Sequence, residues 1–332
     1  MIEMLQRLTH DHPSGERRMT RPIAVLVTFA TTVALVAIPG ACTPKAAKTN
    51  AQPQRIAVVD GLSQPEALSF DAAQNVYFVS NANGSPGVKD GNGFISRISA
   101  DGVMDSLHFI QGGRDNVQLD SPMGSRVQGD TLWVLDVDKL RGFSTHTGAP
   151  FVTIDLSPLK ALFLNDLAID SSGEFYITDT GVQIGPDGKM SHPGPDRILH
   201  VARDRSVSVA ASTALFSSPD GIAWDQRAKR FILAPFAGPS VQEWRIGDPG
   251  PKDVATGKGM FDGVEVEHDG TILITSWNDS SVATLEGTKL VPRITKLSYQ
   301  PADVSMDAGR ARVGIVSLVA NKFELWEWPS TK

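Results

Sequence analysis

The sequence predicts an all-β chain: a six-bladed β-propeller closed by an N-terminal strand. Three observations carry the prediction. A tight polar turn leading into a short apolar strand, Ser218-Pro219-Asp220-Gly221-Ile222-Ala223-Trp224-Asp225, recurs five more times, at Pro65–Asp71, Pro122–Val127, Leu164–Asp170, Phe261–Val266 and Pro301–Asp307. The equivalent residues Glu66, Met123, Asn165, Asp220, Asp262 and Ala302 are spaced by 57, 42, 55, 42 and 40 residues. A repeat in the low forties with four strand-like runs per unit is the signature of a propeller. No run of ten or more residues after Cys42 shows helical periodicity.

The first fifty residues read separately. Arg17, Arg18 and Arg21 precede an uncharged, mostly apolar run from Pro22 to Ala41, the pattern of an export signal. The run ends Ile38-Pro39-Gly40-Ala41-Cys42, and small residues directly before a cysteine resemble a bacterial lipoprotein signal. Residues 1–42 are therefore expected to be an export signal of lipoprotein type, with Cys42 lipidated. A cleaved ordinary signal and an uncleaved membrane anchor are the alternatives, and Met19 competes with Met1 as the start. Each reading places the protein in the cell envelope, outside the cytoplasm, held at the membrane if the lipid anchor is present. Residues 43–54, rich in Lys, Ala, Pro, Asn and Gln, read as a flexible tether, and residues 55–329 as the propeller.

The blades follow in order. Ile56–Asp60 is a lone strand. Blade one continues from Pro65–Asp71 through Asn75–Ser80, Gly93–Ser99 and Ser106–Ile110, with a Gly/Asn-rich loop, Asn81–Asn92, expected near one mouth of the ring. Blade two adds Thr131–Asp136 and Lys139–Ser144. Blade three adds Gly173–Asp179 and Arg197–Val201 across a long loop, Gly181–Pro195. Blades four and five add Arg230–Ala234 with Ser240–Ile246, and Thr271–Trp277 with Ser281–Leu285. Blade six adds Arg312–Leu318 and Phe323–Trp328 and is one strand short, so the lone N-terminal strand is expected to complete it and remove an open edge.

Composition narrows the function. A net charge of −6 argues against nucleic acid as a partner, which wants a basic patch. The one cysteine excludes an internal disulfide framework and a cysteine-based zinc cluster. A monomer is expected. Blades are arranged radially, so the recurring position converges on the central axis. Glu66, Asn165, Asp220 and Asp262 would form an oxygen-rich ring there, with Met123 and Ala302 as apolar members. Three carboxylates and an amide on one axis repel unless a cation sits between them. Oxygen-only donors favour a divalent cation, Ca²⁺ foremost, with Mg²⁺, Mn²⁺ and Zn²⁺ as alternatives. Against this, an Asp or Asn before Gly at a strand entrance is ordinarily a turn residue; what favours the ring is four polar residues sharing one register.

These motifs resemble the senescence marker protein (regucalcin), gluconolactonase and luciferin-regenerating-enzyme family of six-bladed propellers. Glu66-Ala67 stands for that family's Glu-Gly, Asn165-Asp166 for its third-blade Asn-Asp, Pro219-Asp220-Gly221-Ile222-Ala223 for its Pro-Asn-Gly-Leu-Ala, and Phe261-Asp262-Gly263 for its Pro-Asp-Gly. The resemblance implies metal ligation by Glu66, Asp220 and Asp262, with Asn165 facing metal or substrate and Asp262 as general base. It implies hydrolysis of a small-molecule lactone or related ester. Family members acting on sugar lactones often carry Arg where Phe163 stands, so an apolar wall is expected there and a more hydrophobic substrate. A non-catalytic binding module with a structural Ca²⁺ fits the same sequence, and a metal-free propeller of the strictosidine-synthase kind fits it less well. His108, His146, His192, His200 and His268 show no ligand spacing and read as surface or strand residues. Trp133, Trp224, Trp277, Trp326 and Trp328 read as blade core, with Trp277 near enough to a strand end to face the mouth.

Overall fold

The computed structural model describes residues 52–185 and 189–328. The export signal, Cys42 and nearly all of the tether lie outside the described residues.

Six four-stranded antiparallel sheets follow one another around the ring. Blade one is β2 (Pro65–Asp71), β3 (Val76–Asn81), β4 (Phe94–Ser99) and β5 (Met104–Gln111). Blade two is β6 (Pro122–Gln128), β7 (Thr131–Asp136), β8 (Lys139–Ser144) and β9 (Pro150–Asp155). Blade three is β10 (Leu164–Ile169), β11 (Phe175–Asp179), β14 (Arg197–Val201) and β15 (Val207–Ser212); a small hairpin, β12 (Gln183–Ile184) with β13 (Met190–Ser191), lies in its long loop. Blade four is β16 (Pro219–Asp225), β17 (Arg230–Pro235), β18 (Ser240–Trp244) and β19 (Lys252–Thr256). Blade five is β20 (Phe261–Val266), β21 (Ile272–Ser276), β22 (Ser281–Glu286) and β23 (Lys289–Ile294). Blade six is β24 (Val304–Asp307), β25 (Arg312–Ser317) and β26 (Lys322–Glu327), completed by β1 (Gln54–Asp60).

The reason for the ring is visible in the core. A single sheet has no partner for its apolar face, so each blade buries that face against its neighbour. The buried side chains accordingly fall into clusters at the six seams. Leu135 and Leu140 of blade two pack with Leu167 and Ile177 of blade three, and Leu68 and Tyr77 of blade one pack with Val316 and Phe323 of blade six. The remaining seams are filled in the same way.

Closure joins the first and last strands of the propeller. β1 pairs antiparallel with β26, from Gln54 opposite Glu327 to Asp60 opposite Lys322. Arg55 reaches Glu324, whose side chain is fully buried, at 2.8 Å, and the Trp326 indole donates to the same carboxylate. Deleting Gln54–Asp60 would leave β26 an unpaired edge and Glu324 without its cation. The expected outcome is aggregation and a lower melting temperature, read by thermal unfolding with light scattering.

Register also fixes which loops stand at which mouth. Pro65 pairs with Asn81 and Asn81 with Phe94, so the loop 82–93 stands at the ring end of the channel, as expected. Asp179 pairs with Leu164 and with Arg197, which puts the loop 180–196 at the same end.

Candidate metal centre in the channel

The inner strands of blades one to five share an irregularity at the recurring position. Pairing shifts between Pro65 and Ala67, Pro122 and Ser125, Leu164 and Leu167, Pro219 and Gly221, and Phe261 and Val264. A bulge breaks strict alternation, so two consecutive residues of a strand face the axis. The second of each pair is small or acidic: Ala67, Gly124, Asp166, Gly221 and Gly263, with Asp303 in blade six. The glycines admit the neighbouring blade's backbone. A Cβ on Gly221 would lie 2.2 Å from the Asp262 carbonyl oxygen, and one on Gly263 2.6 Å from Asp303 Cα.

Between the two layers lies a cavity of about 10 Å³, lined by Glu66, Asn165, Asp166, Asp220, Asp262 and Asp303 together with the small residues. That is room for one water molecule or one metal ion. All four residues expected from the sequence meet there. Met123 and Ala302 do not line it; their successors Gly124 and Asp303 do. Phe163 does not line it either: its backbone N–H donates to Asp179, and its ring packs on the seam between blades two and three.

The sequence reading assigned no role to Asp166, Asp303 or Arg126. Asp166 accepts from the backbone N–H of Leu167 (2.8 Å) and of Ile222 in the next blade (3.1 Å), and from the Arg126 guanidinium (3.2 Å). Asp303, on the opposite side of the ring, stitches blade six to blade one by accepting the Leu68 N–H at 3.0 Å. Its other oxygen, Oδ1, is buried without a partner, and so is Oε2 of Glu66. The signal in the sequence was Asx directly after the ring position in these two blades, visible only once a bulge is known to turn both residues inward.

The electrostatics follow from burial. Glu66 is pushed up to about 8 by burial, then by Asp303 and Asp166. Asp303 rises to about 8 through burial, held back by Arg126. Asp220 and Asp262 are driven well above the usual carboxylate range by burial, then by their acidic neighbours, and Asp220 receives a hydrogen bond from the Asp262 carboxyl. Trp277, packed edge-on against Phe236, sits beside Asp262 and partly offsets its rise. Trp277 thus stands just beyond β21 at the mouth.

The ring as placed is a proton-sharing acid cluster. Among the described residues, no three His, Cys, Asp or Glu side chains already converge as a formed metal site. A hard cation nevertheless fits the donor chemistry. The donors are all oxygen, the cavity holds one ion, and two buried carboxylate oxygens lack partners. Ligation would draw the carboxyls inward by side-chain rotation and displace their protons.

A pH dependence follows. These carboxyls bind protons more tightly in the folded chain than in the unfolded one. Their contribution to stability is therefore greatest at low pH and falls as pH rises through the window from 4.5 to about 8 set by Glu66. The chelated protein's melting temperature is expected to fall from about pH 5 to about pH 8, and added Ca²⁺ to restore it most at the upper end. A melting temperature that rose with pH in chelator would contradict this.

Among the described residues, no histidine lines this cavity. His146 meets Asp130 at 3.3 Å, His200 meets Glu174 at 2.9 Å and stacks on Tyr176, and His192 meets Asp196 at 2.7 Å in the long loop.

These features define a class: a six-bladed β-propeller with an acid-lined central channel. The same fold is found in a gluconolactonase from Xanthomonas campestris, at 14% identity over 85% of this chain and 96% of that one, with a TM-score of 0.62. A luciferin-regenerating enzyme shares it at 11% identity over 82% and 94%, TM-score 0.61, and a virginiamycin B lyase from Staphylococcus aureus at 11% over 81% and 98%, TM-score 0.53. No protein-family model and no curated protein sequence matches the chain. The likeness is one of fold, and it agrees with the resemblance read from the motifs.

Proposed function

We propose that this protein is a divalent-cation-dependent hydrolase of a lactone or related ester. The observation that carries the reading is the one-ion cavity walled by buried carboxyls, with partnerless oxygens on Glu66 and Asp303. The gluconolactonase among the solved structures of the same fold supports lactone chemistry.

Glu66, Asn165, Asp220 and Asp262 would hold the ion, Ca²⁺ by preference. When bound, such an ion supplies a Lewis acid for a carbonyl or for water. The chain's own residues do the rest. Asp262 takes a proton from the attacking water as the water oxygen bonds the carbonyl carbon; the acyl C–O bond then breaks and that proton passes to the departing oxygen, giving a hydroxy acid from a lactone, or an acid and an alcohol from an ester. Arg126, held on Asp166, closes the channel below, keeps Asp166 in place and offsets part of the upward push that burial gives its carboxyl. Phe236 and Trp277 at the ring end, with Phe163 further out, favour an apolar substrate body over a sugar. The proposal includes export and tethering through a lipidated Cys42.

The test is turnover of dihydrocoumarin and phenyl acetate by the full chain, before and after chelation. Turnover lost on chelation and regained with Ca²⁺ is expected; turnover indifferent to chelator would sink the cation dependence. The small size of the cavity favours one rival, a binding module whose ion is enclosed and structural. For that protein, chelation lowers the melting temperature and no lactone or ester turns over.

A further inference from the structure

The channel has a second mouth. The inner strands that begin at the ring end finish in short turns on the opposite face, and there the channel opens into a cavity of about 350 Å³, a volume typical of ligand pockets. Arg126 and Glu265 form its inner end, Trp224 and Val266 line its wall, and Glu267 and Arg227 stand toward the turns. Arg126 lies between this cavity and the ring, bonded to Asp166 and to the Val264 carbonyl.

The charges here are not balanced. Arg126 is committed to Asp166, and its nearest approach to Glu265 is 4.0 Å. Asp225 is held by Arg230, and Arg227 donates to the Asp269 carbonyl. The Glu267 side chain has no ion pair or hydrogen bond among the described residues, and the charges that act on it, Asp269 and Asp307, are acids. Two carboxyls, with Arg227 as the one guanidinium of the pocket lining not held by another carboxylate, therefore share a pocket with an indole and an aliphatic wall. A half-buried carboxylate gains from a cation brought by a ligand, and an ammonium group also gains from an aromatic face.

We propose that this opposite mouth binds a small organic amine, its ammonium group between Glu265 and Glu267 and its apolar body against Trp224 and Val266. The site is separate from the carboxylate ring and does not depend on what the ring does. An anionic ligand of the same shape meets the glutamates and is rejected.

Calorimetric titration of the full chain with phenethylamine, and with 3-phenylpropionate as the anionic counterpart, tests the proposal. Saturable binding of the amine alone is expected, weakened about tenfold or more by Glu267→Gln, as befits loss of a charge-assisted contact, and left intact by Asp262→Asn. An unchanged melting temperature shows that the Glu267→Gln protein is folded; if it is not, Glu265→Gln reads the same pocket. Absence of saturable amine binding overturns the proposal. So does an affinity indifferent to the glutamine variant, or amine binding abolished by Asp262→Asn, which would put the amine at the ring.

Discussion

Asp262→Asn is expected to lower turnover by about 10²–10⁴-fold, the range for losing a positioned general base. The reason is the place of the carboxyl. It is 5% exposed, it borders the one-ion cavity, and it lies against Asp220 and beside Trp277. The amide preserves size and one ligating oxygen but cannot accept the water's proton. Calcium titration of the variant separates two roles. Retained Ca²⁺ with lost turnover assigns Asp262 as base. Weakened Ca²⁺ with turnover restored at high Ca²⁺ assigns it as ligand only. A variant as fast as wild type with its ion bound would remove Asp262 from the chemistry.

Gly221→Ala is expected to be strongly destabilising. The new Cβ would lie 2.2 Å from the Asp262 carbonyl oxygen and 3.1 Å from the Val264 backbone nitrogen. These are backbone atoms of the neighbouring blade, so no rotamer change relieves the clash, and the seam between blades four and five must open. The cost is expected to reach at least the upper end of overpacking penalties, about 3 kcal/mol. In a domain of this size that lowers the melting temperature by roughly 6–10 °C, or prevents folding. If the variant folds, Ca²⁺ binding should weaken too, because the shifted backbone carries Asp262. Gly287→Ala is the control: its φ of +62° is unfavourable to alanine but nothing lies within 4 Å, so about 1–2 kcal/mol is expected and cation binding is untouched. A melting temperature for Gly221→Ala no lower than the control's would contradict the tight contact between blades.

Much of the fold was legible because a propeller repeats. β7 (Thr131–Asp136) and β8 (Lys139–Ser144) match their sequence-derived bounds, and β1 closes blade six as the missing strand required. The outermost strands were harder to read. β9, β15, β19 and β23 were not assigned because each is largely exposed and mixes polar with apolar residues, leaving little alternation to detect. The ring was legible as register: Glu66, Asn165, Asp220 and Asp262 do meet. Its second layer was not. Strict alternation would turn Asp166 and Asp303 away from the axis, and only the bulge geometry of the inner strands, with Ala302 and Asp303 entering just ahead of β24, brings them in. Arg126 was unreadable for another reason. It acts across the channel, from blade two to Asp166 in blade three and the Val264 carbonyl in blade five, and such contacts leave no spacing signal.

Everything proposed for the channel depends on its carboxyls seating a divalent cation. Metal analysis and Ca²⁺ calorimetry on the purified full chain, wild type beside Glu66→Gln, test it most directly. A bound divalent ion is expected in wild type, with proton release on binding, and an affinity reduced about tenfold or more in the variant. A wild-type protein that takes up no divalent ion from Ca²⁺, Mg²⁺, Mn²⁺ or Zn²⁺ would contradict it and leave the ring as a cluster of shared protons.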